Sequence, residues 1–283
     1  MKTFIFFLLL AFNFSCFSQV TQSVLDEDLA LYEIGVGAIY VNMPDYPGSS
    51  RNRNIYLPIP SFIYRGEVLR ADEDGGVRSR FLFSDDLELN LSIGGSLPSN
   101  SEDNPTREGM PDLETLLELG PGLLWHLKRP SKNSPWKFAL NIPLRLAASV
   151  DFFKAKERGL VFQPMFYAIY DGFLFKNSTW FLSLSTLFAS KKYQSYFYDV
   201  PEQFVKVERP VYSSSSGYMQ SSLSLGMAYR FSKNWSMFSG VLHTRYEESK
   251  NINSPLHVRN SNTSFALGIL WWFYKSEKRG SLK

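Results

Sequence analysis

The chain reads as an all-β protein: a transmembrane antiparallel up-and-down β-barrel of about 12 strands, with 10 as the smaller count. Three observations predict this. Apolar and polar residues alternate with period two over segments of about 10 to 14 residues, longer than an ordinary strand of roughly 5 to 6 and long enough to cross a bilayer when tilted. Aromatic residues collect at the segment ends, where a barrel needs interfacial girdles: Trp125, Trp136, Tyr170, Trp180, Tyr229, Trp235 and the run Trp271-Trp272-Phe273-Tyr274. The connections alternate in length. Ser84-Asp85-Asp86 and Ser232-Lys233-Asn234 are tight polar turns, whereas 98–112, 194–216 and 249–261 are long and rich in Pro, Ser and Asn.

The first residues precede the fold. Met1-Lys2 is a short basic start, Phe4 to Phe12 is almost unbroken apolar sequence, and Cys16-Phe17-Ser18 places small residues at −3 and −1 of a cleavage before Gln19. Residues 1–18 are therefore expected to be a secretory signal. In the rival arrangement Cys16 would be the acylated residue of a lipoprotein, but Asn13-Phe14-Ser15 is a poor lead-in for it. Residues 19–30 follow as a periplasmic N-terminal segment, 31–274 as the barrel and 275–283 as a basic tail.

Composition agrees with strands that face lipid. The 24 Phe, 15 Tyr and 6 Trp give 16% aromatic content beside a mean hydropathy of only −0.17, which is what alternation of greasy and polar positions produces. Without Lys2 the balance is 29 basic against 27 acidic residues, and no basic run with interleaved aromatics occurs, so a nucleic-acid partner is not expected. With the single cysteine in the signal, the exported chain would carry no disulfide.

Each strand rests on its own pattern. In 219–231, Leu223, Leu225 and Met227 oppose Ser222, Ser224 and Gly226; in 138–151, Leu140, Leu144 and Leu146 oppose Asn141, Arg145 and Ala147; in 87–97, Leu87, Leu89 and Leu91 oppose Glu88, Asn90 and Ser92. A soluble sandwich would bury the apolar rows and a barrel would present them to lipid; segment length, girdles and loop alternation select the barrel. Working back from a last strand at 262–274 places strands near 235–248, 217–231, 178–193, 158–171, 136–151, 113–127, 87–97 and 76–83. The N-terminal part adds 31–42, 54–61 and 62–70, with a reversal at Leu57-Pro58-Ile59-Pro60.

The knuckle Pro44-Asp45-Tyr46-Pro47-Gly48 then falls in the first outer loop, its prolines ending ladder pairing. Asp45, Tyr46, Arg51 and Arg53 form a candidate outer recognition site, placed where lipopolysaccharide head groups would lie; a rigid loop cap is the plainer expectation. Glu88, Asn90, Glu114, Glu118, Asn141, Arg145 and Arg230 should project into the lumen, either pairing to plug it or lining a narrow solute path. Catalysis is not expected. His126, His243 and His257 show no spacing to a nucleophile or orienting acid, and no metal or cofactor pattern appears.

Several of these stretches resemble the MipA/OmpV family of outer-membrane proteins: Pro44-Asp45-Tyr46-Pro47-Gly48-Ser49, Leu57-Pro58-Ile59-Pro60 with Tyr64-Arg65-Gly66-Glu67, Glu118-Leu119-Gly120-Pro121-Gly122, Tyr198-Asp199-Val200, Arg209-Pro210-Val211-Tyr212 with Gly217-Tyr218, and Ser254-Pro255. The resemblance spans about 31–274. It implies a barrel in the outer membrane of a Gram-negative bacterium, monomeric and in contact with lipid and lipopolysaccharide. The function it implies is scaffolding or envelope maintenance alongside a murein synthase and a lytic transglycosylase, with a narrow porin-like channel or an adhesin as the alternative. Lys275 to Lys283 departs from the family's habit of ending at the terminal aromatic.

Overall fold

The structure, a computed structural model, describes residues 30–65, 69–72, 76–79, 84, 86–129, 134–151 and 154–278. The expected signal, Cys16, most of the segment 19–30, residues 80–83 of the expected strand 76–83, residues 130–133 and residues 279–283 of the tail lie outside the described residues.

Thirteen strand segments form one antiparallel sheet: β1 (Tyr32–Pro44), β2 (Asn52–Arg65), β3 (Leu69–Asp72), β4 (Gly76–Ser79), β5 (Leu87–Ser96), β6 (Thr115–Lys128), β7 (Trp136–Asp151), β8 (Lys154–Phe162), β9 (Met165–Asp171), β10 (Ser178–Ala189), β11 (Gly217–Arg230), β12 (Trp235–Arg245) and β13 (Ser261–Lys275). Apart from β8 and β9, which both lie between β7 and β10, each pairs with the next, and β13 pairs back onto β1 from Ile34↔Tyr274 to Asn42↔Phe265, so the pairings run around a ring. β8 and β9 are halves of one pass. Pro164 cannot donate to a ladder, but Gln163 N donates to Pro143 O (3.4 Å) and Pro164 O accepts from Thr186 N (3.1 Å), which carries the strand across the break. Counted so, twelve strands follow one another around the ring among the described residues, β3 and β4 with four residues each.

One expected reversal is absent. β2 runs straight through Leu57-Pro58-Ile59-Pro60 and pairs with β1 over its length, from Tyr32↔Tyr64 to Pro44↔Asn52. The prolines fit because, among the described residues, β2 meets β3 at Tyr64 and Arg65, away from Pro58 and Pro60. Two strand ends also fall earlier than expected: β10 stops at Ala189 because Lys191–Tyr198 forms a short helix, α1, and β12 stops at Arg245.

The faces divide as alternation requires. Leu223, Leu225, Leu144, Leu146, Leu267 and Ile269 are exposed on the outside, while Ser224, Asn141, Arg145 and Ala266 are buried inside. Met219 breaks parity. A bulge opposite Leu187/Phe188 turns it inward, leaving Tyr218 outside. Outward aromatics stack into a belt near the short-turn end, through Trp136–Tyr170, Tyr170–Phe173 and Phe173–Trp180, then Tyr229–Phe231, Phe231–Trp235, Trp235–Trp271 and Trp271–Phe273. A second group, Tyr40 with Tyr56 and Phe265, and Phe188 with Phe162 and Tyr218, marks the long-loop end. Two aromatic levels separated by an apolar band are the signature of a bilayer-spanning wall.

Candidate functional site

The long outer loops do not stand away from the barrel. They fold over its mouth as a cap whose buried cluster includes Tyr46, Met110, Leu113, Tyr193, Phe197, Tyr198, Val200 and Leu256. Polar bonds between loops fix it. Tyr46 OH donates to Leu256 O (2.8 Å), Tyr198 OH to Pro47 O (3.2 Å), Ser254 Oγ to Tyr198 O (2.7 Å) and Arg107 Nη1 to Phe197 O (3.1 Å). The Arg107 guanidinium also lies over the Tyr46 ring at 5.5 Å. Burial pushes the Tyr46 hydroxyl up to about 12 and holds Tyr198 well above its ordinary range, so both stay protonated donors.

The expected outer recognition residues belong to this cap. Asp45 is 5% exposed and Tyr46 2%. Arg53 points inward; its Nη2 donates to Leu97 O (3.2 Å), its Nη1 to Pro98 O, and its Nε lies 3.8 Å from Asp45. Arg51, at 3.6 Å from Asp45 and 3.9 Å from Asp103, is the more accessible of the two. These four residues belong to one polar cluster of the cap, in which the buried carboxylate of Asp45 keeps both arginines close.

Beneath the cap lies a cavity of about 390 Å³, walled by β1, β5 to β7 and β9 to β13. Glu118, 3% exposed, is the hub of its polar side. Its Oε2 accepts from Arg145 Nε (2.9 Å) and its Oε1 from Tyr193 OH (2.7 Å). Arg145 goes on to Gln163 Oε1 (2.5 Å) and Ser92 Oγ (3.3 Å), so each charged group has partners. Gly94 makes room for this pair: a Cβ there would stand 2.8 Å from Glu118 Oε2 and 3.2 Å from the guanidinium. Asn141 Nδ2 donates to Tyr167 OH (3.3 Å), whereas Asn141 Oδ1 and Asn90 Oδ1 have no hydrogen-bond partner among the described residues. The rest of the lining mixes Val41, Leu242 and Ala266 with Ser183, Ser224, Thr244 and Asn262. Ile39, Phe181 and Phe238 form an apolar cluster with Ile55, Leu57 and Ile59 from β2.

The lumen set thus divides in three. Asn90, Glu118, Asn141 and Arg145 line the chamber. Glu88 and Arg230 stand at the short-turn rim, Glu88 beside His126 Nε2 (3.1 Å) and Arg129 (3.3 Å), Arg230 at 3.7 Å from Glu33. Glu114 is half-exposed at the outer rim, 3.5 Å from Arg158, so its expected place in the lumen is corrected: it precedes β6, where the wall has already given way to the cap. The histidines are dispersed: His126 in the rim, His243 on the outer wall against Thr263 Oγ1 (2.9 Å), His257 in the cap between Tyr198 and Tyr246.

Sequence reasoning missed Glu33, which binds Arg65 at 2.9 Å and lies 3.4 Å from Lys275. Its parity with Gly35 and Gly37 was the available signal. It also missed Tyr193, Gln163 and Tyr167. Tyr193 had none, because the helix that turns it into the lumen begins inside an apparent strand.

A ring of antiparallel strands with outward apolar rows, two aromatic belts and a polar interior defines a membrane-spanning β-barrel. The family described as "MltA-interacting protein MipA" matches residues 34–273, and the chain belongs to that family of outer-membrane proteins. No curated protein matches the chain. Among solved structures it is similar to an active-site variant of outer membrane phospholipase A from Escherichia coli (10% identity, 92% of this chain and 97% of that one, TM-score 0.35). It is also similar to the toluene transporter TbuX of Ralstonia pickettii (7%, 90% and 72%, 0.29) and to a FadL homologue of Pseudomonas aeruginosa (10%, 88% and 91%, 0.28).

Proposed function

We propose that this protein is a non-enzymatic scaffold of a Gram-negative outer membrane that holds murein-synthesis machinery at the periplasmic rim. The observation that carries the reading is the cap. Outer loops joined by buried hydrogen bonds over the barrel mouth leave the protein poorly suited to free solute flow or to adhesion through extended loops. The family description names an MltA-interacting protein, which is the kind of partner a scaffold would hold. Lys128 and Arg129 begin the basic inner turn 128–135, the proposed contact; Arg129 is engaged with Glu88.

Affinity capture of an MltA-type lytic transglycosylase and a bifunctional penicillin-binding protein on the purified barrel tests this. Retention that is lost when Lys128 and Lys132 become Ser supports the scaffold. Stable conductance steps in planar bilayers, with no capture, would replace it by the channel.

A further inference from the structure

The polar groups of the chamber outnumber what its ion pairs require. Asp45, Glu118 and Arg145 are the charged residues of its described lining, and each has an opposite charge close by. Arg145 Nε lies 2.9 Å from Glu118, and Arg51 and Arg53 flank Asp45 at 3.6 and 3.8 Å. Neutral groups make up the remainder. On β10 to β12, Ser183 and Ser224 meet through their hydroxyls at 2.5 Å, and Ser222 and Thr244 at 3.0 Å.

Three amide oxygens of the lining, Asn90 Oδ1, Asn141 Oδ1 and Gln220 Oε1, are buried with no hydrogen-bond partner among the described residues. Asn90 and Asn141 are only 6% and 9% exposed. The bond from Asn141 Nδ2 to Tyr167 OH fixes the direction of that amide. Gly122 lies between the two asparagines: a Cβ there would stand 2.2 Å from Asn90 Oδ1 and 3.2 Å from Asn141 Oδ1, so both oxygens converge on one point of the wall. Buried acceptors without donors cost free energy. A site that keeps them is suited to donors brought from elsewhere.

The two ends of the chamber differ in strength. Just toward the short turns from Ser183 and Ser224, Phe181 pairs with Gly226, while Ile39 and Phe238 both pair with Gly268, and these three apolar side chains cluster. At the other end Tyr46, Tyr193 and Phe197 of the cap close the space. The floor belongs to paired strands and the roof to loops, and loops open at lower cost than a sheet.

We infer that the chamber is a binding site for a small, water-soluble, uncharged compound with several hydroxyl groups, of the size of a simple sugar or sugar alcohol, admitted from outside when the cap loosens. Converging acceptors call for O–H donors, and serine and threonine hydroxyls can both give and accept. The paired charges leave no net charge in the described lining to hold an ion. Tyr46, Tyr167 and Phe197 offer apolar faces for the C–H side of such a ring. The volume of about 390 Å³ is that of a small-molecule site. This binding is independent of any partner at the 128–135 turn, which lies at the opposite end of the barrel.

The test uses the full barrel in phosphatidylcholine nanodiscs, prepared without sugar detergents, and equilibrium dialysis of radiolabelled glucose, sorbitol and sucrose, with gluconate and glucosamine as charged comparisons. Saturable binding of at least one of the three neutral compounds is expected, with gluconate and glucosamine at least fivefold weaker. Asn90→Ala, Gly122→Ala and Gln220→Ala, each checked for folding by heat-modifiable migration, should weaken it at least fivefold; any one that folds suffices. Asn104→Ala removes a cap hydrogen bond outside the chamber lining and should speed both uptake and release, with affinity changed less than twofold. No saturable binding of any of the three overturns the proposal, the chamber then holding water only. Stronger binding of gluconate or glucosamine overturns the uncharged class, and unchanged binding in the folded chamber variants overturns the site. Unchanged uptake in Asn104→Ala overturns entry through the cap.

Discussion

Asn104 donates from Nδ2 to Asp45 Oδ2 at 2.8 Å, joining two outer loops 59 residues apart at a point where both side chains are buried. The same amide reaches Ser49 Oγ at 3.0 Å. The cap is therefore held by a small polar centre inside an apolar shell, where a lost partner strands a buried group at a cost of about 1–3 kcal/mol. Asp45→Ala also leaves Arg53 without its carboxylate. Faster proteolysis within 98–112, with heat-modifiable migration of the barrel retained, is the expected outcome for Asp45→Ala and, more mildly, for Asn104→Ala.

Breaking the lumen pair should cost more than removing it. Arg145→Leu leaves Glu118 buried with Tyr193 as its remaining donor, and a half-broken buried pair costs about 3–5 kcal/mol. Replacing both, with Glu118→Gln beside Arg145→Leu, should recover part of that loss. Urea titrations of folding into lipid vesicles measure the difference. Equal destabilisation by the single and double changes would show that the pair is not coupled.

The cap should loosen in acid. Burial lowers the His257 pKa below its ordinary value of 6.5, and both ring nitrogens lack hydrogen-bond partners among the described residues. Because the closed cap disfavours the proton, the opened state binds it more readily. Stability is then full above about pH 6.5 and falls as pH drops through that value toward the lower, folded one. Protection factors of 254–260, which discount the intrinsic slowing of amide exchange in acid, should fall as pH drops below about 6.5, and His257→Phe should flatten that dependence.

Glycines beneath the lumen aromatics set its floor. A Cβ at Gly226 would enter the Phe181 ring and one at Gly268 the Phe238 ring, so Gly226→Ala and Gly268→Ala should each destabilise by about 1–3 kcal/mol through overpacking. The same urea titrations read this. Gly109→Ala is a poor control because Gly109 has φ +77; Ala228→Gly, on the same face as Gly226, is the better one.

Much of the wall was legible because period two is set by the pleat alone: the rows at Leu223 and Asn141 needed no tertiary information. The prolines of β2 misled because a strand and a turn both accept Pro, and only the pairing of the strands on either side decides between them. The cap was illegible for another reason. Its contacts join residues such as Tyr46 and Leu256, 210 positions apart, in loops whose polar composition resembles that of open loops. Asp45 and Arg53 were found as a group, yet no local pattern tells a group folded inward from one facing out.

Everything rests on which medium touches the apolar rows. Cysteines placed singly at Leu223, Leu225 and Leu140, and at Ser222 and Asn141, can be spin-labelled in the folded protein in bilayers and their access to oxygen, which concentrates in hydrocarbon, compared with that to a water-soluble nickel chelate. Oxygen should dominate at the three leucine positions and not at the other two. Leucine positions reached by neither reagent, with the nickel chelate dominant at Ser222 and Asn141, would mean a secreted sandwich with its leucine rows in a dry core, and the barrel would be the wrong structure.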